Sequence, residues 1–360
     1  MKLRSFLSVF ILLAASSFVR GQDAPAPESQ LDTRYSLAVI DDATFYSNLN
    51  DSAPTVLNQV LVEPTFSLHY RSRFSFSSSV IGLATTYSGT NSRLRVKETY
   101  AGLSVGDFDF TGGRKMVRWG TGYAFTAAGV LDPPRDPTNP TDRLNVNEGR
   151  DMIKADWVRG RHALSLAWST AMLAPRNSTL HDTTAFRYNV LVRGFDTSLI
   201  AGNDRGGDSF GALTFTRVLG QAWEMHGEAV WREQGALLLG AKYTMSSGVT
   251  FIGEFYTPPN TAYFRDMSVS PLAGRQHYGF FNAGKTRLRE LPGWKEWDLS
   301  GSMVSNFDDH SYVAVFDVNR WFGKRFSSYL HLEVPHGAKT SDFGAAPYAT
   351  ATSLGVRFQL

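Results

Sequence analysis

The sequence predicts an all-β chain rolled into a single closed antiparallel transmembrane β-barrel of about 18 strands (16–18). Three observations carry that expectation. Apolar and polar residues alternate over segments of about nine to eleven residues, the length a tilted strand needs to cross hydrocarbon. Very short turns take turns with longer, more polar connections along the chain. The alternation also persists to the final residue, Leu360.

The amino end is treated apart from the fold. "MKLRSFLSVFILLAASSFVRG" places Lys2 and Arg4 before an apolar run from Phe6 to Phe18 and closes on Val19-Arg20-Gly21, the layout of a cleaved secretory signal. Residues 1–21 are therefore expected to leave, and residues 22–360 to form the barrel. No later apolar run is long enough for a membrane helix. The chain has no cysteine, which removes lipid-modified termini, disulfides and thiolate metal sites. Of the 36 Lys and Arg, three lie in the signal, leaving 33 against 33 Asp and Glu. No basic excess remains to recruit nucleic acid. Aromatics reach 13% and glycine 32 residues, while helix-forming periodicity is missing after the signal.

The strand texture is plainest in "QAWEMHGEAVWRE". Trp223, Met225, Gly227, Ala229 and Trp231 fall on one face and Glu224, His226, Glu228, Val230 and Arg232 on the other. Short turns are read at Ser77-Ser78, Gly106-Asp107, Gly160-Arg161, Gly194 to Asp196, Leu219-Gly220, Ser246 to Gly248 and Gly323-Lys324, with a longer one at Glu290 to Gly293. Between them come Ser88 to Asn91, Gly120 to Arg150, Leu173 to Thr184, Asn203 to Asp208, Glu233 to Gly235, Pro258 to Gln276, Ser305 to Asp309 and Pro335 to Pro347. Counting back from the end gives about 17 strands from Pro64 onward, and "TRYSLAVIDDATF", Arg34 to Phe45, supplies a first strand that makes the number even.

The last segment, "YATATSLGVRFQL", resembles the closing strand of bacterial outer-membrane barrels, although it ends on Leu with Phe two residues earlier. The stretch Lys97 to Phe125, "KETYAGLSVGDFDFTGGRKMVRWGTGYAF", is similar to the strand, turn, Gly-Arg strand and Trp-Gly ending of porin-like families, alginate-export-type barrels among them. That class resemblance implies an outer-membrane location, and contact between the carboxyl-terminal strand and the barrel-assembly machinery.

Several motifs point elsewhere and fail on context. Gly279 to Thr286, "GFFNAGKT", matches a phosphate loop, but it lies in an alternating strand and Pro292 and Gly293 soon break any helix. No nucleotide is expected. Gly207 to Gly211, "GDSFG", lacks the strand-turn-helix setting that would make Ser209 a nucleophile. Glu224, His226 and Glu228 share a face and could in principle ligate a metal, yet such a row is what a water-facing strand surface requires. Asn177-Ser178-Thr179 is a sequon on paper only. No cofactor and no catalytic residue follow from the sequence.

What remains is a lumen and a loop. Glu98, Arg114, Arg118, Lys154, Asp156, Glu224, His226, Glu228, Arg232, Lys242, Glu254, Asp298, Asp317, His331 and Glu333 are read as inward-facing, with the phase of Arg114 and Arg118 depending on a bulge at Gly112-Gly113. The third outer loop carries Asp132, Arg135, Asp136, Asp142, Arg143, Glu148 and Arg150 among four prolines. It would either narrow the lumen or cap it from outside. The expected function is a passive outer-membrane channel for small solutes, seated in outer-membrane lipid, with mixed lumen charge and weak ion selectivity. The alternatives are a non-channel surface protein (adhesin or assembly scaffold), an export channel for polysaccharide or hydrophobic solutes, and an outer-membrane hydrolase. A homo-oligomer is compatible with all of them.

Overall fold

Alternation becomes architecture in the computed structural model, which describes residues 31–48, 55–86, 90–133, 135–140, 142–170, 182–204, 209–232, 235–258, 277–288 and 293–360. The expected signal segment, the sequon and most of the loop from Pro258 to Gln276 lie outside the described residues. Eighteen strands run β1 (Leu31–Asn48), β2 (Val56–Tyr70), β3 (Phe74–Thr86), β4 (Thr90–Val105), β5 (Phe108–Lys115), β6 (Arg150–Arg159), β7 (His162–Thr170), β8 (Thr183–Val192) and β9 (Phe195–Asp204). They continue as β10 (Ser209–Leu219), β11 (Trp223–Trp231), β12 (Ala236–Thr244), β13 (Thr250–Thr257), β14 (Tyr278–Lys285), β15 (Trp297–Asn306), β16 (Ser311–Phe322), β17 (Phe326–His336) and β18 (Tyr348–Gln359).

Each strand pairs antiparallel with its sequence neighbours, and β1 pairs with both β2 and β18. The sheet therefore has no free edge, and every ladder is satisfied without water. Leu37 and Leu360 exchange backbone hydrogen bonds at the seam, so the chain's last residue helps close the barrel.

Period-two alternation sorts the faces. Leu94, Ile153, Leu166, Trp168, Leu199, Met225, Trp231 and Leu239 are exposed on the outer face, whereas Ala167, Ile200, Phe210, His226, Glu228, Leu238 and Glu254 are buried on the inner one. An outer belt of bare apolar side chains is what lipid requires. Glycines in the left-handed region, Gly106, Gly160, Gly194, Gly220 and Gly323, end the hairpins at the short-turn end.

Two details differ from the sequence reading. The first hairpin turn at that end falls at Arg71–Arg73, and Ser77-Ser78 lies inside β3, because the polar serines there alternate on a strand rather than breaking it. Strands β1, β2 and β4 are also longer than expected, at 18, 15 and 16 residues.

The buried core sits inside the barrel. The described residues between β5 and β6 (116–133, 135–140 and 142–149) enter the lumen and pack on the inward faces of the strands. Trp119, Ala128, Val130 and Leu131 meet Ala167, Ala185, Ile200, Phe210 and Ala212. Ala124 and Phe125 meet Leu238, Tyr256, Tyr278 and Phe280, with the Phe125 and Tyr256 rings stacked at 5.0 Å. Leu144 joins Ile40, Leu61 and Ile81 on the opposite wall.

Candidate functional site: the lumen and its inserted segment

A segment without helix or strand must find partners for its backbone amides once it is buried. Here carboxylates supply them. Glu228 on β11 accepts from the amides of Thr121, Gly122 (3.0 Å), Ala127 (2.6 Å) and Ala128 (2.6 Å). Glu254 on β13 accepts from Tyr123, Ala124 (2.9 Å) and Phe125 (3.1 Å). Asp132, within the segment, accepts from Trp119 (2.6 Å) and Gly120 (3.2 Å). Every amide from residue 119 to residue 128 except that of Thr126 is thus held by one of three carboxylates. Multiple amide donors converging on one carboxylate fix the backbone around it.

Local sequence explains the spacing. His226, Gly240 and Glu254 occupy one ladder row on β11, β12 and β13. A Cβ on Gly240 would stand 2.2 Å from His226 Nε2, so glycine leaves the room in which His226 and Glu254 meet at 3.0 Å. The His226 and Tyr123 rings in turn meet in a T-shaped contact at 5.4 Å. Tyr123 donates to Glu224 at 2.9 Å and receives Lys242 at 3.2 Å. Burial and the Glu224 contact push the Tyr123 hydroxyl well above the usual phenol range. Burial likewise raises Asp132 above an ordinary carboxylic acid, against the pull of the Trp119 amide and Arg135.

The far end of the segment is tied to the seam. Arg143 lies 3.3 Å from Asp42 on β1, its carbonyl accepts from Arg357 on β18 at 2.6 Å, and Asn145 donates to Glu63 on β2 at 2.9 Å. Tyr329 on β17 donates to the same Asp42 at 2.7 Å. The segment is therefore a chord: it leaves β5, is pinned to β11 and β13, crosses to β17, β18, β1 and β2, and returns to β6.

The other expected residues fall as follows. Asp136 accepts from Thr138, and Asp142 from the amides of Val146 and Asn147, so both shape the segment's own turns. Burial raises Asp136 above its usual range. Arg135 reaches Asp132 and the carbonyls of Gly120 and Phe125. Lys154 and Asp156 pair at 2.5 Å on the inward face of β6. Glu98 accepts from the amide of Met116 where the segment begins. Arg232 pairs with Asp204 at the loop end and covers the ring of Phe210. Asp298 accepts from Asn319 and the Trp321 indole, and His331 bridges Asp317 and Glu333. Arg150 opens β6.

One phase needs correction. Arg114 is in register with Asp151, and Asp151 with Thr170 two residues beyond the exposed Trp168, so Arg114 belongs to the outward phase at the loop end. Asp151 and Glu148 hold it there. Gly113 (φ +125°) stands inward instead, and no bulge shifts the ladder between β4 and β5. Arg118 lies past the end of β5 and is exposed between buried Val117 and Trp119.

Sequence reasoning missed Lys97, Glu63, Asp42, Tyr329 and Arg357. Lys97 is the extra residue of a bulge opposite Ser79 and Val80, which turns it and Glu98 to the same side. It reaches Glu63 at 2.9 Å. Simple alternation assigns it to lipid, and only an unpaired lysine in that position would have warned otherwise.

Among the described residues the phosphate-loop residues Gly279 to Lys285 are part of strand β14, with no helix after them, and Ser209 begins β10. No group of His, Cys, Asp and Glu suited to a metal ion occurs among the described residues.

No protein-family model matches the chain, and no curated protein matches its sequence. Its fold is similar to solved barrels of Pseudomonas aeruginosa. OpdQ aligns at TM-score 0.63 with 10% identity over 91% of this chain and 97% of that one. OprD gives 0.62 and 10% over 91% and 95%. The outer membrane protein OpdK gives 0.62 and 10% over 91% and 98%. At such identities the likeness shows the fold alone, shared over almost the whole of each chain.

Proposed function

We propose that this chain is an outer-membrane channel through which small solutes diffuse passively, with residues 116–149 setting the width of the passage. The observation that carries the reading is the inserted segment itself. A barrel whose outside suits lipid encloses a chord of backbone that is anchored by charged groups rather than packed shut on every side. Beside it, between the segment and the walls of β13 to β18, remains a cavity of 490 Å³ bordered by Tyr123, Arg143, Asn282, Asp317, Asn319 and Arg357.

Transport through such a passage has no catalytic step. Coulomb interactions and shape sort the solutes. Arg143, Arg357, Asp298 and Asp317 all line the cavity, so both signs meet the solute and selectivity between cations and anions is weak. A cleaved signal at residues 1–21 and recognition of β18 by the assembly machinery are the route to the membrane that this reading implies.

Planar-bilayer recording of the purified mature chain tests it. Discrete ohmic current steps with a small reversal potential in a salt gradient are expected. A folded barrel that conducts nothing would assign the lumen to a sealed scaffold.

A further inference from the structure

The lipid-facing side of the barrel carries a charge it should not. Asp41 lies on the outward phase of β1, between Val60 of β2 and Val356 of β18, and is exposed there. Among the described residues it has no hydrogen-bond or ion-pair partner. A bare carboxylate on this face of a barrel is costly unless something meets it.

Asp41 also lines a hollow of 530 Å³ on the outside of β15 to β18, β1 and β2. The same ladder row runs from Asp41 through Val356 and Ser328 to Arg320, three strand spacings or about 14 Å away. Arg320 lines the other end of the hollow, and its guanidinium rests on the rings of Trp297 (5.1 Å) and Phe322 (4.8 Å). Small residues, Ala43, Ser328 and Gly355, form the floor, and Leu330, Leu354 and Val356 supply apolar walls. Asn58 adds a buried Oδ1 that accepts no hydrogen bond. The level is interfacial: Trp297, Phe322, Phe326 and Phe358 sit at the short-turn ends of β15 to β18, where aromatic girdles lie at headgroup depth.

We infer that this hollow is a binding site for a zwitterionic phospholipid with a primary ammonium, a phosphatidylethanolamine-type headgroup. Arg320 takes the phosphate, Asp41 and the Asn58 oxygen take the ammonium hydrogens, and the acyl chains lie on Leu330, Leu354 and Val356. Charge complementarity selects the occupant, because one end of the hollow is cationic, the other anionic, and the space between them is apolar. An anionic headgroup without an amine leaves Asp41 unmet, and a trimethylated amine offers it no hydrogen bond. The inference rests on the membrane-spanning barrel of the proposed function, and is independent of whether the lumen conducts.

Native mass spectrometry of the detergent-purified chain tests it, with phosphatidylethanolamine, phosphatidylglycerol and phosphatidylcholine of identical chains as probes. Wild type is expected to retain the ethanolamine lipid about fivefold better than either competitor, the scale of one interfacial charge pair. Asp41→Asn should erase that preference, while Arg320→Gln should lower retention of all three lipids. Equal retention by wild type, or a preference that survives Asp41→Asn, overturns the site. So does copy-to-copy crosslinking of an Asp41→Cys protein in ethanolamine-lipid bilayers, which would place a second copy on this face. Heat-modifiable migration in SDS gels verifies folding of each variant. Conductance recorded on the same preparations separates failure of the lipid site from failure of the channel reading.

Discussion

Arg143, near the far end of the inserted segment, stands 3.3 Å from Asp42, whose side chain is fully buried on β1 at the seam where the barrel closes. One contact thus joins the segment that lies inside the lumen to the strand pair that completes the sheet. Tyr329 and Thr44 also donate to Asp42, so its charge is met by one cation and two hydroxyls.

Arg143→Ala is expected to weaken both functions of this contact. Removing one partner of a buried pair leaves the other charge uncompensated and costs about 3 kcal/mol. Urea unfolding in detergent should show a lower midpoint, and bilayer recordings should show a noisier open current as the far end of the segment comes loose. Unchanged stability together with quiet current would mean that Arg357 and Asn145 hold the segment alone.

Glu228→Gln should release the near end. The glutamine offers one carbonyl oxygen where two carboxylate oxygens accepted four amides, and its NH2 points donors at donors. Each buried amide left without an acceptor costs about 1–3 kcal/mol. The barrel walls do not depend on this residue, so folding should survive while mean single-channel conductance rises. A conductance identical to wild type would show that Glu254 and Asp132 suffice to position the backbone.

Barrel class, strand number and the position of the third loop were legible because period-two alternation and turn length are properties of local sequence. Glu228 and His226 were legible as inward residues for the same reason. Their partners were not, because nothing local to "TGYAFTAAG" says which carboxylates, a hundred residues later, will hold its amides. Arg114 reads as inward in the best register of its own segment, whereas the unbroken ladder between β4 and β5 turns it outward. Lys97 was missed since a bulge exists where the sequence shows none. In both cases the phase depends on pairing with another strand, a non-local quantity.

Gly240→Ala tests whether a missing side chain organises the site. The new Cβ would collide with His226 Nε2, and Glu254 Cγ lies only 3.0 Å from the same point. His226 and Glu254 must separate, tilting the carboxylate that receives Tyr123, Ala124 and Phe125. The expected result is a loss of about 1–3 kcal/mol, as for overpacking elsewhere, with a changed conductance. Gly253→Ala on the neighbouring strand has open space around its Cβ and should change neither.

The pair Lys97 and Glu63 gives the sharpest test of the bulge. Their side chains are almost wholly buried and 2.9 Å apart, and Glu63 also accepts from Ser79 (2.7 Å) and Asn145 (2.9 Å). Lys97→Met removes the only cation paired with Glu63 among the described residues and leaves a carboxylate served by neutral donors, a loss of about 3–5 kcal/mol. Adding Glu63→Met removes the stranded charge, so the double variant should recover most of that stability, because paired buried ions are often replaceable by apolar residues of similar size. It should not recover the tether, since Asn145 loses its acceptor along with the charge. Stability and channel noise are therefore expected to part company: the double variant unfolds near the wild-type midpoint yet conducts with the fluctuations of the single one. If both return together, the Asn145 contact holds nothing, and Arg143 with Leu144, packed on Ile40, Leu61 and Ile81, keeps the segment at the seam.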